Sequence, residues 1–200
     1  CWSDKNELKP NEVTKYSNKK FIFNCDNCPH DFEKSLNMVS KDIWCPYCCK
    51  PTQKYCINDC EYCFNKTFAR YEELTINGKK KVECWSDKNE LKPYQVSICN
   101  GKKFWFDCDV CGHDFISAIN GITNGNWCPY CSHNKLCEDS NCEYCFNNSF
   151  ASYSELTSNG KKKVDCWSDK NKSQPIEVSY CNGNKFWFDC DVCGHEFNSV

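Results

Sequence analysis

Hydrophobic residues in this chain come in short aromatic bursts set between polar stretches. The blocks Lys20–Asn24, Lys103–Asp107 and 185–189 share a Lys-Phe-x-Phe-Asn/Asp pattern and predict short strands, each running directly into a Cys-x2-Cys pair. Asp31, Asp114 and Glu196, each followed by a phenylalanine, begin the returning strand, so each cysteine pair sits at the tip of a hairpin. After Cys63 and Cys145 a second pattern predicts a short helix. Thr67 or Ser149 caps it, and Phe68, Ala69 and Leu74, or their counterparts, face inward. Asn77-Gly78 and Asn159-Gly160 then mark tight turns, after which strands over 79–83 and 161–165 lead to Cys84 and Cys166. No apolar run approaches the roughly 20 residues of a membrane helix.

The cysteines repeat with these elements on a period of about 82 residues. One set reads Cys25-x2-Cys28 with Cys45-x2-Cys48, then Cys108-x2-Cys111 with Cys128-x2-Cys131, then Cys190-x2-Cys193. Sixteen residues separate the paired knuckles in both full copies, the spacing of a four-thiolate zinc site. A second set reads Cys56, Cys60, Cys63 and Cys84, and again Cys137, Cys142, Cys145 and Cys166, with the last cysteine 21 positions after the third in both. The connection from Cys48 to Cys56 is two residues longer than that from Cys131 to Cys137. Length therefore varies where no metal is expected to hold the chain.

This partition places most of the 22 cysteines. Cys190 and Cys193 are half of a first-type site, and Cys1, in the same Cys-Trp-Ser-Asp-Lys-Asn context as Cys84, is one ligand of a second-type site. Cys49, Cys99 and Cys181 are left over. The expected organisation is a partial first repeat over 1–55 with a ribbon site, a second repeat over 56–136 with a treble-clef-like site followed by a ribbon site, and a truncated third over 137–200. The incomplete sets lead to the expectation that the protein continues at both ends.

Units of this size have little core of their own, and aliphatic residues are sparse here, so metal is expected to supply what burial cannot. Structural zinc contributes about 10–16 kcal/mol per site, more than the net stability of a small domain. So many cysteines also fit a secreted disulfide scaffold. The Cys-x2-Cys pairs and the unpaired remainder favour zinc ligation in a reducing compartment, the host cytoplasm or a virion. Three Asn-x-Ser/Thr matches carry no weight in an Asn-rich chain.

Trp85 to Asn89, Leu91, Pro93, Val96, Phe104 to Phe106, Cys108-x2-Cys111-Gly-His113-x-Phe115 and Cys128-Pro-Tyr-Cys131 together resemble the tandem "probable zinc-ribbon" repeat, a module related to treble clefs and found in many copies in giant DNA viruses. The resemblance returns in part from Trp2 and from Trp167, and the added second cysteine set is most like the viral members. It implies small zinc-stabilised α+β repeats, with β-hairpins and short helices in an elongated array, and the two cysteine sets together lead to the expectation of about two Zn2+ per complete repeat. The resemblance is uninformative about activity. Pro29 stands where the other copies have Gly112 and Gly194.

His30, His113 and His195 follow the second knuckle cysteine by two positions and are expected to support the knuckle rather than bind metal, since four cysteines already complete each site. Cys-Pro-Tyr-Cys also occurs in dithiol oxidoreductases, but each copy here has a partner pair at constant distance. Closed four-ligand sites leave no position for substrate, so no enzyme is expected. The lysine triplets 79–81 and 161–163 offer a nucleic-acid surface. Against that, the formal charge of −2 falls to about −10 once four tetrathiolate sites are counted. Trp2, Trp44, Trp85, Trp127 and Trp167, beside the knuckles, are expected to roof the metal sites. The expected function is therefore a non-enzymatic, zinc-dependent structural scaffold or protein-interaction module, plausible in a virion or capsid, whose partners are other proteins and not a membrane; DNA or RNA binding through the lysine hairpins is the alternative.

Overall fold

The computed structural model describes residues 1–50, 52–56 and 60–200. Three two-stranded antiparallel hairpins recur along the chain: β1 (Lys20–Asn24) with β2 (Asp31–Ser35), β3 (Lys103–Asp107) with β4 (Asp114–Ala118), and β5 (Phe186–Asp189) with β6 (Glu196–Ser199). In the first, Phe23 lies opposite Phe32, and in the third Phe188 lies opposite Phe197. Strands this short are marginal alone. Each is held by its neighbourhood, and the Trp-Ser-Asp-Lys-Asn motif supplies part of the hold.

The asparagine of that motif does the work of an extra strand. Asn89 accepts from the Trp105 backbone N–H at 2.9 Å and donates to the Trp105 carbonyl at 2.8 Å. Asn6 makes the same pair with Ile22, and Asn171 with Trp187. One amide side chain thus satisfies both exposed backbone groups at the middle of each edge strand, which would otherwise be open to water or to another chain. The motif tryptophans are tied as well: the indole N–H of Trp2, Trp85 and Trp167 donates to the carbonyl of Leu8, Leu91 and Ser173. Their rings pack on the first phenylalanine of each strand, Phe21, Phe104 and Phe186, with centroids 4.9 Å apart.

Two compact units divide the described chain, one of Cys1–Trp105 with Ile116–Asn124 and one of Phe106–Phe115 with Gly125–Val200. In the first unit the core is aromatic and sulfur-rich. Phe21, Phe23, Phe32 and Cys45 are buried, with Trp2, Val13, Leu36, Val39 and Trp44 packed on them. Trp44 meets Phe23 and Phe32 edge-on. In the second unit Phe106, Phe115 and Trp127 form the same triangle.

The elements after the hairpins are single turns: α1 (Leu36–Val39), α2 (Glu61–Phe64), α3 (Ile119–Thr123) and α4 (Glu143–Asn147). The sequence places a helix after Thr67, whereas the structure puts the helical turn earlier, at Glu61–Phe64, and gives Phe68–Arg70 a 3-10 turn. The Thr67 hydroxyl donates back to the Phe64 carbonyl at 3.0 Å, closing the preceding turn instead of capping a new one. Phe68 is fully buried, but Leu74 is 53% exposed. The expected strand over 79–83 is a single bridge, Leu74 to Lys80, followed by a 3-10 turn at Lys81–Cys84. The intervening reversal is as expected: Thr75 N–H donates to the Lys79 carbonyl at 2.8 Å and Gly78 takes φ +82°, a conformation costly for any side-chain-bearing residue. Among the described residues no helix is long and apolar enough to cross a membrane.

Candidate metal centres

Each hairpin tip is a knuckle built by the backbone. Cys25 N–H donates to the His30 carbonyl at 3.0 Å, Cys108 N–H to that of His113 at 3.0 Å, and Cys190 N–H to that of His195 at 2.9 Å. At the second and third tips a glycine with positive φ, Gly112 or Gly194, also returns its N–H to the first cysteine's carbonyl at 2.9 Å. Pro29 has no N–H to offer there. The first two knuckles meet the Cys-Pro-Tyr-Cys turns, in which Cys49 and Ser132 N–H close on the carbonyls of Cys45 and Cys128.

Two four-sulfur clusters result. Cys25 lies 3.5 Å from Cys48 and Cys28 lies 3.5 Å from Cys45; Cys108 and Cys131, and Cys111 and Cys128, repeat those distances. In each cluster the four ligand atoms lie within 4.8 Å of one another. A disulfide would need about 2.05 Å, whereas a tetrahedral metal with bonds of about 2.3 Å to sulfur spaces its ligands roughly 3.5–3.8 Å apart.

The second pair of clusters corrects the sequence reading. Cys56, Cys60 and Cys63 converge not on Cys84 but on His30, whose Nε2 is 3.3 Å from each sulfur. Cys137, Cys142 and Cys145 gather with His113, whose Nε2 is 3.4 Å from Cys142 and from Cys145. Cys84, Cys166 and Cys1 lie in none of the clusters among the described residues. Cys84 and Cys166 end 3-10 turns and are buried, and the Cys166 thiol points at the Lys162 carbonyl at 3.9 Å. Cys1 is exposed, its carbonyl accepting from Asn24 N–H at 2.7 Å. The constant 21-residue spacing to Cys84 and Cys166 reflects an invariant stretch of fold, not coordination. A usable signal was the histidine itself, at the same offset after all three knuckles.

Both imidazoles are held by aromatic stacking. His30 stacks on Tyr47 with centroids 4.3 Å apart and meets Tyr62 edge-on; His113 does the same with Tyr130 and Tyr144. Each ring is therefore gripped by one tyrosine from the four-sulfur turn and one from the three-cysteine segment. His30 Nδ1 faces Cys28 Sγ at 3.3 Å, so when Nε2 holds a metal the Nδ1 proton points at a thiolate. Burial, followed by the positive charge of Lys66, pushes the His30 pKa down and keeps the ring neutral, the state that donates a lone pair.

The thiols also fit a cation. In each cluster a single sulfur, Cys25, Cys60, Cys108 or Cys142, is shifted toward the thiolate: burial opposes the shift, and backbone N–H groups and neighbouring thiols together outweigh it. Burial first, and then the crowding of other sulfurs, pushes partners up, Cys48 to about 11, Cys56 to about 12 and Cys145 to about 12. Four such groups cannot all ionise side by side without a positive charge among them, and a divalent ion provides it. Thiolate and imidazole in tetrahedral sets suit zinc. When bound, zinc would cross-link each hairpin to the segment that follows.

The fold and donor sets define a tandem zinc-finger protein of treble-clef-like modules. The chain belongs to the family described as "Probable Treble clef zinc finger domain", whose model matches residues 1–51 and 81–134. It is also 32% identical over 202 residues to an uncharacterized protein of Acanthamoeba polyphaga mimivirus, an alignment covering 98% of this chain and 45% of that relative. The chain thus spans under half the length of the relative it matches. The matched segments include both four-cysteine clusters, while the three-cysteine sets fall outside them.

Cys190 and Cys193 form the same knuckle at the third hairpin, with Cys190 shifted toward the thiolate by the N–H groups of Cys193 and Val192. No second cysteine pair joins them among the described residues. Cys99 and Cys181 are exposed in turns, and Cys49 donates to the Pro46 carbonyl.

Proposed function

We propose that this protein is a non-enzymatic, zinc-dependent scaffold whose modules display surfaces to other proteins, as a component of the virion of a large DNA virus. The observation that carries the reading is that every assembled cluster already offers four protein ligands. Such closed sets are the mark of structural zinc, because a catalytic site keeps one position for water or substrate. The similarity to a mimivirus protein supports the viral setting.

Nucleic-acid binding is the weaker reading on the charges. Lys80 pairs with Glu72 at 2.8 Å, Lys81 with Glu73 at 2.6 Å and Lys163 with Glu155 at 2.7 Å. Lysines already matched by carboxylates release few counterions on meeting phosphate. The test is twofold. Cross-linking within purified virions followed by mass spectrometry is expected to join this chain to other virion proteins and to persist after nuclease treatment. Fluorescence anisotropy with duplex and single-stranded oligonucleotides is expected to show no salt-dependent binding at micromolar protein. Tight, salt-sensitive binding lost on Lys79→Glu with Lys161→Glu would sink the scaffold reading.

A further inference from the structure

His30 and His113 belong to two clusters at once. Each sits two residues beyond a knuckle cysteine, and its carbonyl closes the knuckle by accepting from Cys25 or Cys108 N–H at 3.0 Å. Its ring reaches away to the three cysteines of the following segment. The tyrosine stacked on it, Tyr47 or Tyr130, lies between the last two cysteines of the four-sulfur cluster. So the backbone and the stacking partner of the histidine are both fixed by the first cluster, while its Nε2 serves the second.

We propose that each hairpin and the three-cysteine segment after it form one two-metal unit with a fixed loading order, in which the four-cysteine cluster fills first and thereby positions the histidine that completes the second. The dependence runs one way. Without metal in the four-cysteine cluster the knuckle and its tyrosine are no longer stapled, and the second cluster is reduced to three thiolates plus a wandering imidazole. Without metal in the second cluster, the first still has four cysteines within 4.8 Å of one another. Pre-positioning a ligand changes affinity by about 100-fold, the scale of losing an orienting contact or an effective local concentration. This inference rests on the reading of the clusters as zinc centres and adds an order and a direction of coupling to it.

Cobalt(II) tests it, because all-sulfur and three-sulfur-one-nitrogen sites have distinguishable ligand-field bands. On titrating the reduced, metal-free 200-residue chain, the all-sulfur signature is expected over the first two equivalents and the mixed signature only after them. In the variant Cys60→Ser with Cys142→Ser, cobalt affinity of the all-sulfur sites is expected to stay within about threefold of the parent; in Cys45→Ser with Cys128→Ser, the mixed sites are expected to weaken by about 100-fold. Should the latter variant not fold, the order of signatures in the unaltered chain decides alone. Both signatures rising together, or undiminished mixed-site affinity in the Cys45→Ser variant, overturns the coupling while leaving four zinc centres intact. Absence of any bound metal by native mass spectrometry overturns the zinc reading itself and the coupling with it.

Discussion

The second and third copies of the repeat have nearly the same sequence and the same local structure, but the 200 residues carry the second through its Cys-Pro-Tyr-Cys turn and the third only through its hairpin. Phe68 and Phe150 N–H donate to Val96 and Val178 carbonyls, Thr75 and Thr157 N–H to Lys79 and Lys161, and Asn89 and Asn171 pin their hairpins alike. Burial diverges all the same. Phe115 is 3% exposed and Phe197 47%; Phe106 is fully buried and Phe188 only partly. In the second copy the chain runs on into α3, with Ile119 and Ile122 fully buried and the Tyr71 hydroxyl 3.0 Å from the Ile122 carbonyl. In the third copy Phe150, Tyr153, Cys166, Phe188 and Phe197 instead line an open cleft of about 520 Å³. Turns, hairpins and side-chain pins are therefore local products of the repeat, formed alike in the second copy and in the part of the third that the 200 residues contain.

The largest test of that contrast removes one sulfur from each copy. Cys128→Ser breaks a complete set, and a structural site is worth about 10–16 kcal/mol, so loss of bound zinc and unfolding of the second copy are expected. Cys193→Ser, in a knuckle that no second pair joins among the described residues, is expected to leave both the zinc content and the thermal transition of the 200-residue chain in place. Native mass spectrometry with calorimetry reads both; equal effects would erase the distinction between the copies.

A smaller effect separates the aromatic cores. Phe106→Ala removes a fully buried ring and is expected to cost about 3–5 kcal/mol, while Phe188→Ala removes a partly buried one and is expected to cost about 1 kcal/mol. Urea unfolding followed by tryptophan fluorescence gives the difference. Similar costs would mean that the third core is closed in solution by something that fills its cleft.

Smaller again is the expected effect of Cys84→Ala. As a buried non-ligand it should lose about 1–2 kcal/mol of packing and keep all four metals, whereas Cys63→Ala should lose one. Loss of a metal from the Cys84 variant would restore the ligand set that spacing alone suggested.

That pair of residues also shows what could be read from sequence. Cys25, Cys28, Cys45 and Cys48 were legible because two knuckles at fixed separation have one economical meaning, and the hairpins because alternating aromatics run into them. The spacing misleads at Cys84 because periodicity cannot distinguish a ligand from a buried thiol when the whole repeat is periodic. His30 reads in sequence as a support of the knuckle because four cysteines already complete a site; only the three-dimensional reach of the knuckle reveals that its ring points into the next segment. The α1 and α3 turns leave no signature in the sequence because a single helical turn carries too few residues for a period.

The finest contrast is electrostatic. Lys81 bonds Glu73 with its side chain only 6% exposed, while the matching Lys163 is 48% exposed beside Glu155. The hydrogen bond from Lys81, and then that from Tyr71, hold the Glu73 carboxyl below its usual range. Unfolded Glu73 therefore binds its proton more readily than folded Glu73. Its contribution is fully present above the unfolded carboxylate value of about 4.3 and is lost as pH falls through the lower folded value. Glu73→Gln is expected to cost about 1–2 kcal/mol near neutral pH, most of it from stranding a buried ammonium and allowing for the half-exposed carboxylate. The gap between parent and variant should shrink steadily as the buffer is taken below about pH 4.3, measured at each pH on both chains so that acid weakening of thiolate ligation cancels. Glu155→Gln, whose lysine remains in water, should produce a smaller gap that salt abolishes. A gap for Glu73 that widens in acid, or one that 1 M salt removes as fully as for Glu155, would show that Lys81 is no more desolvated than its counterpart.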